Sequence, residues 1–254
     1  NVFASTGFMK GNPLFIVDDE ADAASLNTLV NIGRQSSINK YLDSIKNGAS
    51  SSIYLQVTGT PQAIFLQTMA SGWHPYFTYY FEPGDGYLGG DFFFPKNRIA
   101  DSVAFLEKTP NPERSVVVHH MAVSGQIIAS GGSVCNCLLH PSVRQAVHGR
   151  YEKSMQTELA WCLEHVDDEF RAELKTAYEA LHPEKADKVD FESVFLSAKK
   201  LLENHQVKIL VMNGKHDVDS SEYSSGSNIV IGGNTLGRGV TFPALHTIYY
   251  TRTS

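Results

Sequence analysis

The residues with the clearest chemical potential stand together near the start of the chain. Leu14-Phe15-Ile16-Val17 is an apolar run of strand length, and it ends in Asp18-Asp19-Glu20-Ala21-Asp22. Carboxylates at the end of a strand in a parallel sheet lie where ligands bind in open α/β folds. Hard oxygen donors of this kind suit Mg2+, which keeps several waters and bridges to substrate phosphates. In such chemistry Asp19 holds the metal through its water shell, and Glu20 polarises the water that attacks a phosphoryl group. The same acids have a second reading, as a helix start whose negative charges complement the helix dipole.

Two further stretches end strand-like runs in turns suited to chemistry. Ile53-Tyr54-Leu55-Gln56-Val57 leads into Thr58-Gly59-Thr60-Pro61, which places two hydroxyls on one turn. Its plainer reading is a cap before a helix, with Pro61 at the first helical position. Later, Ile229-Val230-Ile231 leads into Gly232-Gly233-Asn234-Thr235-Leu236-Gly237-Arg238-Gly239, followed by Val240-Thr241-Phe242-Pro243. Glycine in such a turn lets the backbone approach a phosphate, and its N–H groups bind anions.

The elements that must position these residues follow from the apolar pattern. Besides those three runs, Ser115-Val116-Val117-Val118, Val134 to Leu139, Val207 to Met212 and Thr247-Ile248-Tyr249-Tyr250 have strand length and composition. Several are apolar throughout, as strands buried on both faces are. Between Pro141 and His205 the period changes. Val147, Tyr151, Met155, Leu159 and Leu163 are four apart, then Phe170, Leu174, Tyr178 and Leu181 continue the pattern. This predicts amphipathic helix, interrupted near His182-Pro183 and resumed from Phe191 to Leu202. From Trp73 to Pro112 the prolines, Gly84-Asp85-Gly86 and Gly89-Gly90 predict irregular chain with aromatic anchors such as Phe92, Phe93 and Phe94. The expected fold class is α/β with mainly parallel sheets and a long helical segment over residues 141–205.

Composition bounds the function classes. The 254 residues carry 21 Lys+Arg against 27 Asp+Glu, a formal charge of -6, which argues against a surface coated in basic charge for nucleic acid while leaving room for a local basic groove. Length predicts one or two domains with real cores. Three cysteines, Cys135, Cys137 and Cys162, cannot form a disulfide framework, so the expected compartment is the reducing cytoplasm. No run approaches the roughly 18–20 apolar residues of a membrane span, and no basic region followed by an apolar one opens the chain. Other signals are weaker. Cys135-x-Cys137 with His140 lacks zinc-knuckle spacing, and the two cysteines would share one strand face as small hydrophobes. Glu173-x-Lys175 after Asp167 and Asp168 resembles half of a nuclease motif, but lies in a helical pattern. Ser124 and Ser221 lack the context of a nucleophile. Trp73, Tyr79 and Tyr80 could stack on bases, with loop anchoring as the preferred reading.

Taken in order, these motifs resemble a known family. Asp19-Glu20-Ala21-Asp22 resembles the second motif of superfamily 2 helicases, Thr58-Gly59-Thr60 their third, and the Gly237-Arg238-Gly239 stretch their fifth. The spelling Asp18-Asp19-Glu20-Ala21-Asp22 with Ser25, Asn27 and Thr28, the Gly84 to Phe93 stretch, and Gly232-Gly233-Asn234 ahead of Arg238-Gly239 are similar to the Z1 domain found with superfamily 2 ATPases of bacterial restriction and defence systems.

The resemblance spans Gly11 to Ser254 and implies two partial RecA-like lobes. Residues 1–100 would be the later part of the first lobe, 101–114 a linker, and 115–254 the earlier part of the second with helical segment 141–205. The strand from Val134 to Leu139 would open that second core, with Leu138-Leu139-His140-Pro141-Ser142 in place of the fourth motif. ATP and Mg2+ would bind between lobes. Asp19 and Glu20 would carry metal binding and water activation; Asp22, Thr58, Gly59 and Thr60 would couple nucleotide state to lobe movement; Gly237, Arg238 and Gly239 would sense nucleotide or nucleic-acid backbone. Duplex DNA and a nuclease subunit or domain are the implied partners, with an oligomer as a further possibility. No Gly-x-x-x-x-Gly-Lys-Ser/Thr loop precedes Asp18, and nothing after Arg252 supplies an arginine finger. Both are expected just beyond the chain ends, so the activity is expected of a longer parent protein. The alternative function is a nucleotide-inactive interaction module in a defence complex, binding a partner through the helical segment.

Overall fold

The computed structural model describes residues 10–22, 25–27, 33–65, 75–87, 89–96, 103, 105, 106, 108–142, 144–181, 189–212, 218–233 and 242–251. The chain divides into two compact units, Asn1–Tyr87 and Leu88–Ser254.

The first unit holds a parallel strand pair and a crossover helix. Strand β1 (Pro13–Asp18) pairs in parallel with β2 (Ser51–Gln56), from Pro13 opposite Ser51 to Asp18 opposite Gln56. Parallel neighbours need a crossover connection, which includes helix α1 (Ser37–Gly48). Ser36 caps α1 by accepting a hydrogen bond from the Asn39 N–H at 3.4 Å. Leu14, Ile16 and Tyr54 lie on one face of the pair and are partly buried; Phe15, Val17, Ile53 and Leu55 alternate with them and are exposed.

The second unit is built around a four-stranded, all-parallel sheet in the order β4-β5-β3-β6. The strands are β3 (Val134–His140), β4 (Val207–Met212), β5 (Gly226–Gly232) and β6 (Leu245–Tyr250). After a short helix, α2 (Gly90–Phe93), come α3 (Pro112–Ala129), α4 (Gln145–Glu164), α5 (Glu169–Ala180) and α6 (Phe191–Glu203). The fold is therefore α/β with parallel sheets, as the apolar pattern requires. Cys137, Leu139, Ile229 and Ile231 face the helical core with Met155, Phe170 and Leu174, while Leu138 and Val230 pack with Met212 and Tyr223 in a second cluster. The spacing-four residues of α4, α5 and α6 supply the helical core; the expected break near His182-Pro183 lies outside the described residues.

Two expectations are corrected. Ser115–Val118 is not a strand but lies within α3, in its first two turns. The Asn111 side chain caps this helix by accepting from the Arg114 N–H at 2.9 Å, and Pro112 opens it. Val116, Val117, Val118, Met121 and Ala122 are all buried, so the helix lacks a polar stripe and reads locally like a buried strand. Among the described aromatics after Trp73, Tyr79, Tyr80 and Phe94 are exposed rather than anchored, and Trp73 and the Phe93 side chain lie outside the described residues. Their unsatisfied apolar surface shows that aromatic content alone does not bring a segment into a core.

Helix α3 fixes its neighbours by close approach and by polar ties. At Gly125 an added Cβ would stand 2.5 Å from the Val194 carbonyl oxygen of α6. Arg114 pairs with Glu158 of α4 at 2.8 Å and lies 3.6 Å from the Trp161 ring centroid. His120, fully buried, meets the Ser227 hydroxyl of β5 at 2.9 Å, and Ser227 meets Ser124 at 2.9 Å. Cys135 and Cys137 are buried on strand β3, and burial raises both thiols, Cys135 to about 11.

Gly125→Ala is expected to destabilise the protein although alanine gains about 1 kcal/mol of helix propensity, because moving a packed backbone costs roughly 1–3 kcal/mol or more. A lower denaturation midpoint checks it. His120 supplies a pH dependence: burial, aided by His246, lowers it to about 3. Below its ordinary range the unfolded chain takes up a proton that the folded chain refuses, so stability is full above about pH 6.5 and is lost on acidification towards 3. Between pH 6.5 and 5 the loss is expected to be about 1–2 kcal/mol, and denaturant titrations of His120→Gln should show a flatter slope.

Candidate functional site

In the first unit the acidic residues lie at the carboxyl ends of β1 and β2. Strand pairing continues past β1, with Val57 N–H donating to the Asp18 carbonyl at 2.9 Å and Ala21 N–H donating to the Val57 carbonyl at 3.0 Å. These bonds bring the Asp19–Asp22 turn against the Thr58–Thr60 turn. Asp22 then takes both hydroxyls: Thr58 Oγ1 donates to Oδ1 at 2.8 Å and Thr60 Oγ1 to Oδ2 at 2.6 Å. The Thr60 N–H in turn donates to Thr58 Oγ1 at 3.0 Å, closing the Thr-Gly-Thr turn on itself. Residues 61–65 are helical, so Pro61 also opens a helix as its plainer reading has it.

The carboxylates thus divide their labour. Asp18 receives a hydrogen bond from the Tyr54 hydroxyl across the strand pair. Burial and that bond raise the Tyr54 phenol above its usual range, and Lys46 lies 5.3 Å from its ring centroid. Asp19 Oδ1 accepts from the Glu20 N–H at 3.0 Å, and Glu20 has φ of 57°, a left-handed backbone uncommon outside glycine. Residues 19–22 form turns with Asp19 and Glu20 exposed, whereas Ala21 is fully buried beneath them. Ser25 braces this turn, while Asn27 ties the following chain to the start of α1. Ser25 Oγ donates to the Ala21 carbonyl at 2.9 Å, and the Asn39 side chain of α1 donates to the Ser25 carbonyl at 3.1 Å. Asn27 accepts from Ser36 N–H at 2.8 Å and donates to the Arg34 carbonyl at 2.8 Å.

Among the described residues no group of three or more His, Cys, Asp or Glu side chains forms a ready cage for a metal. Mg2+ commonly uses one or two carboxylates with waters and substrate phosphates instead. Exposed Asp19, with Glu20 beside it, is a donor set of that type.

In the second unit the corresponding carboxyl edge is formed by the ends of adjacent β5, β3 and β6. His140 ends β3 and stacks on Tyr250 at 5.2 Å between centroids. Past it, Pro141 and Ser142 lead to α4, whose His148 reaches back to the Ser142 carbonyl with Nε2 at 2.6 Å. A neutral His148 donating from Nε2 keeps an acceptor lone pair on Nδ1. That atom and His140 Nδ1 are both buried without a hydrogen-bond partner. Gly232 ends β5; Gly237, Arg238 and Gly239 lie outside the described residues. Asp167, weighed above as part of a nuclease motif, is instead held by Lys199 of α6 at 2.6 Å.

The Z1 domain model matches residues 115–254, more than half of the chain. The chain belongs to the Z1 domain family. Neither the curated proteins nor the solved structures contain a match. The matched Z1 region runs from the first turn of α3 through β6 and includes Gly237-Arg238-Gly239; the acidic turn and the Thr-Gly-Thr turn precede it.

Sequence reasoning missed several residues that organise the two sheets, Tyr54 beside the carboxyl end of the first and Asn136 and Asn228 near the amino ends of β3 and β5 in the second. In the sequence Tyr54 is one residue of an apolar run, and nothing local marks its hydroxyl as a partner for Asp18. Within the Z1 region, Asn136 and Asn228 were passed over, although an asparagine inside an otherwise apolar strand is itself a signal, because a buried amide requires partners. The clamp in the first unit has a measurable energy. Asp22→Ala is expected to lower stability by about 1–2 kcal/mol, since charged hydrogen bonds contribute roughly 1.5–3 kcal/mol but Thr60 is exposed. Thr60→Ser, which keeps the hydroxyl, should remain within about 0.5 kcal/mol of wild type in the same denaturant titration.

Proposed function

We propose that this Z1-family protein is the ATPase core of a DNA-dependent motor of the superfamily 2 helicase or translocase kind. The observation that carries the reading is the Asp22 clamp, in which the turn after β2 grips the acidic turn after β1 through both threonine hydroxyls. A nucleotide-sensing turn must be tied to the turn that handles the phosphates, and a carboxylate holding two hydroxyls provides a tie that a shift of either turn would break. In this reading the two units are parts of RecA-like lobes that serve ATP hydrolysis.

The residues then take distinct roles. Asp19 lies at the exposed end of β1, where it would hold Mg2+ through water. When bound, Mg2+ neutralises charge on the β- and γ-phosphates of ATP. Glu20 accepts the proton of the attacking water, and its left-handed backbone is the sort of strain that reactive positions retain. Asp22, Thr58, Gly59 and Thr60 transmit lobe closure. Gly237, Arg238 and Gly239, on the other lobe, contact nucleotide or nucleic-acid backbone, where glycine permits close approach. Duplex DNA is the polymer, and a nuclease subunit or domain performs the cutting in a restriction or anti-phage defence system, with oligomerisation as part of the assembly. The three thiols are free and buried, which suits a cytoplasmic protein; among the described residues no helix is long and apolar enough to cross a membrane.

The test is ATP hydrolysis by the full-length protein with Mg2+ and duplex DNA, beside Glu20→Gln. Removing a general base is expected to cut kcat by roughly 10²-fold or more, with the fold unchanged by circular dichroism. Wild-type hydrolysis no faster than that of the variant sinks the motor reading and favours an interaction module.

A further inference from the structure

The sheet of the second unit ends at β4, and that edge is lightly guarded. β4 pairs with β5 in unbroken register from Val207 opposite Ser227 to Met212 opposite Gly232, and among the described residues nothing pairs with its other side. An edge strand presents a row of unpaired N–H and C=O groups, which proteins commonly protect with proline, a bulge or charged side chains. Val207-Lys208-Ile209-Leu210-Val211-Met212 has no proline and no bulge, and Lys208 is its one charge.

An apolar groove lies beside this edge. Its volume is about 380 Å³, within the size range of ligand pockets. One face of α4 supplies Leu159, Ala160 and Leu163, the end of α6 supplies Leu202, and β4 supplies Val207 and Ile209. A tight turn joins α6 to β4: the Gln206 N–H donates to the Leu201 carbonyl at 2.8 Å, and the His205 between them has φ of 51°. That turn sets the groove wall directly against the edge. Side chains alternate across a strand, so Val207 and Ile209 face the groove while Lys208 points to the opposite face. Lys208 is exposed, and its Nζ reaches the Glu222 carbonyl oxygen at 3.5 Å without pairing with a described carboxylate.

We infer that this edge receives an extended segment of a partner protein, which joins the sheet as a further strand beside β4. Its backbone pairs with the free groups of β4, two apolar side chains enter the groove, and the residue between them, opposite Lys208, is acidic. The chemistry recognised is therefore apolar–acid–apolar on an extended chain. Strand addition of this kind takes affinity from main-chain hydrogen bonds and specificity from alternate side chains. Opposite charges across a strand pair are favourable and like charges unfavourable. A second copy of β4 is a poorer occupant, since that strand has no acid to place opposite Lys208. The inference concerns this edge alone and does not depend on ATP hydrolysis.

The test is fluorescence anisotropy of the full-length protein with a labelled synthetic peptide that has Val-Glu-Val at its centre and serine and threonine on both sides. Saturable binding is expected. Replacing the glutamate with lysine should weaken it at least threefold, and a peptide of the same composition with the two valines adjacent should bind at least tenfold more weakly. Ala160→Phe fills the groove from an exposed position on α4 and should weaken binding at least tenfold, with circular dichroism unchanged. Where that variant does not fold, Lys208→Glu decides, because it should reverse the preference between the glutamate and lysine peptides. Saturating peptide should slow hydrogen exchange at β4 amides at least tenfold, with those of α3 changing less than twofold. Absence of saturable binding up to millimolar peptide, equal binding of the rearranged peptide, or an unaltered charge preference in Lys208→Glu overturns the inference. Protection of β4 amides that rises with protein concentration in the absence of peptide puts a second copy on the edge and also overturns it.

Discussion

Strands β3 and β5 form the centre of the larger unit and are buried on both faces, and that single constraint organises most of what surrounds them. A parallel pair of this kind exposes no face to water, so it needs an apolar layer on each side. On one side α3 to α6 supply it, with Cys137, Leu139, Ile229 and Ile231 entering the helical core. On the other, Leu138 and Val230 meet Met212 and Tyr223. Because helix α3 packs against this pair, it buries Val116, Val117, Val118, Met121 and Ala122, and its buried polar groups must be paired. His120, Ser124 and Ser227 satisfy one another for that reason. The constraint also brings the carboxyl ends of β5, β3 and β6 to one edge.

The smaller unit shows how neighbouring carboxylates acquire different tasks. Four acids occur within the five residues from Asp18 to Asp22. Alternation along β1 sends Asp18 to the Tyr54 side of the strand pair, while the following turn directs Asp22 towards the two threonines. Asp19 and Glu20 are left on the exposed side of a turn whose floor is buried Ala21. An acid that accepts several donors is a structural part; one presented to solvent at the end of a strand is available to a cation or a water. The reading as an ATPase depends on this separation more than on the number of acids.

Much of the fold could be read along the chain, and the failures have identifiable physical causes. β3 and β5 coincide with short apolar runs because burial on both faces demands such runs, whereas β6, at the sheet's edge, alternates partly buried and exposed residues. The four-residue spacing from Val147 to Leu163 marks α4 because one face of that helix remains polar. Ser115–Val118 misled because three valines in a fully buried helix and three in a buried strand make the same local pattern; Asn111 and Pro112 were the better guide. The aromatic segment misled in the opposite direction. Tyr79 and Tyr80 have the composition of anchors, yet anchoring requires a complementary cavity, which no property of the segment itself supplies.

The sequence by itself determined the α/β class, the parallel strands, the helical stretch and the positions of the acidic, Thr-Gly-Thr and Gly-Arg-Gly turns. These depend on periodicity, chain stiffness and residue chemistry, which act over a few neighbouring residues. Only the tertiary structure decided that Asp22, rather than Asp18 or Asp19, receives the Thr58 and Thr60 hydroxyls, and that Asn136 holds the chain at Pro243. Those contacts join residues 36 to 107 positions apart. Strand register and side-chain direction select them, and both are settled only when the sheets assemble.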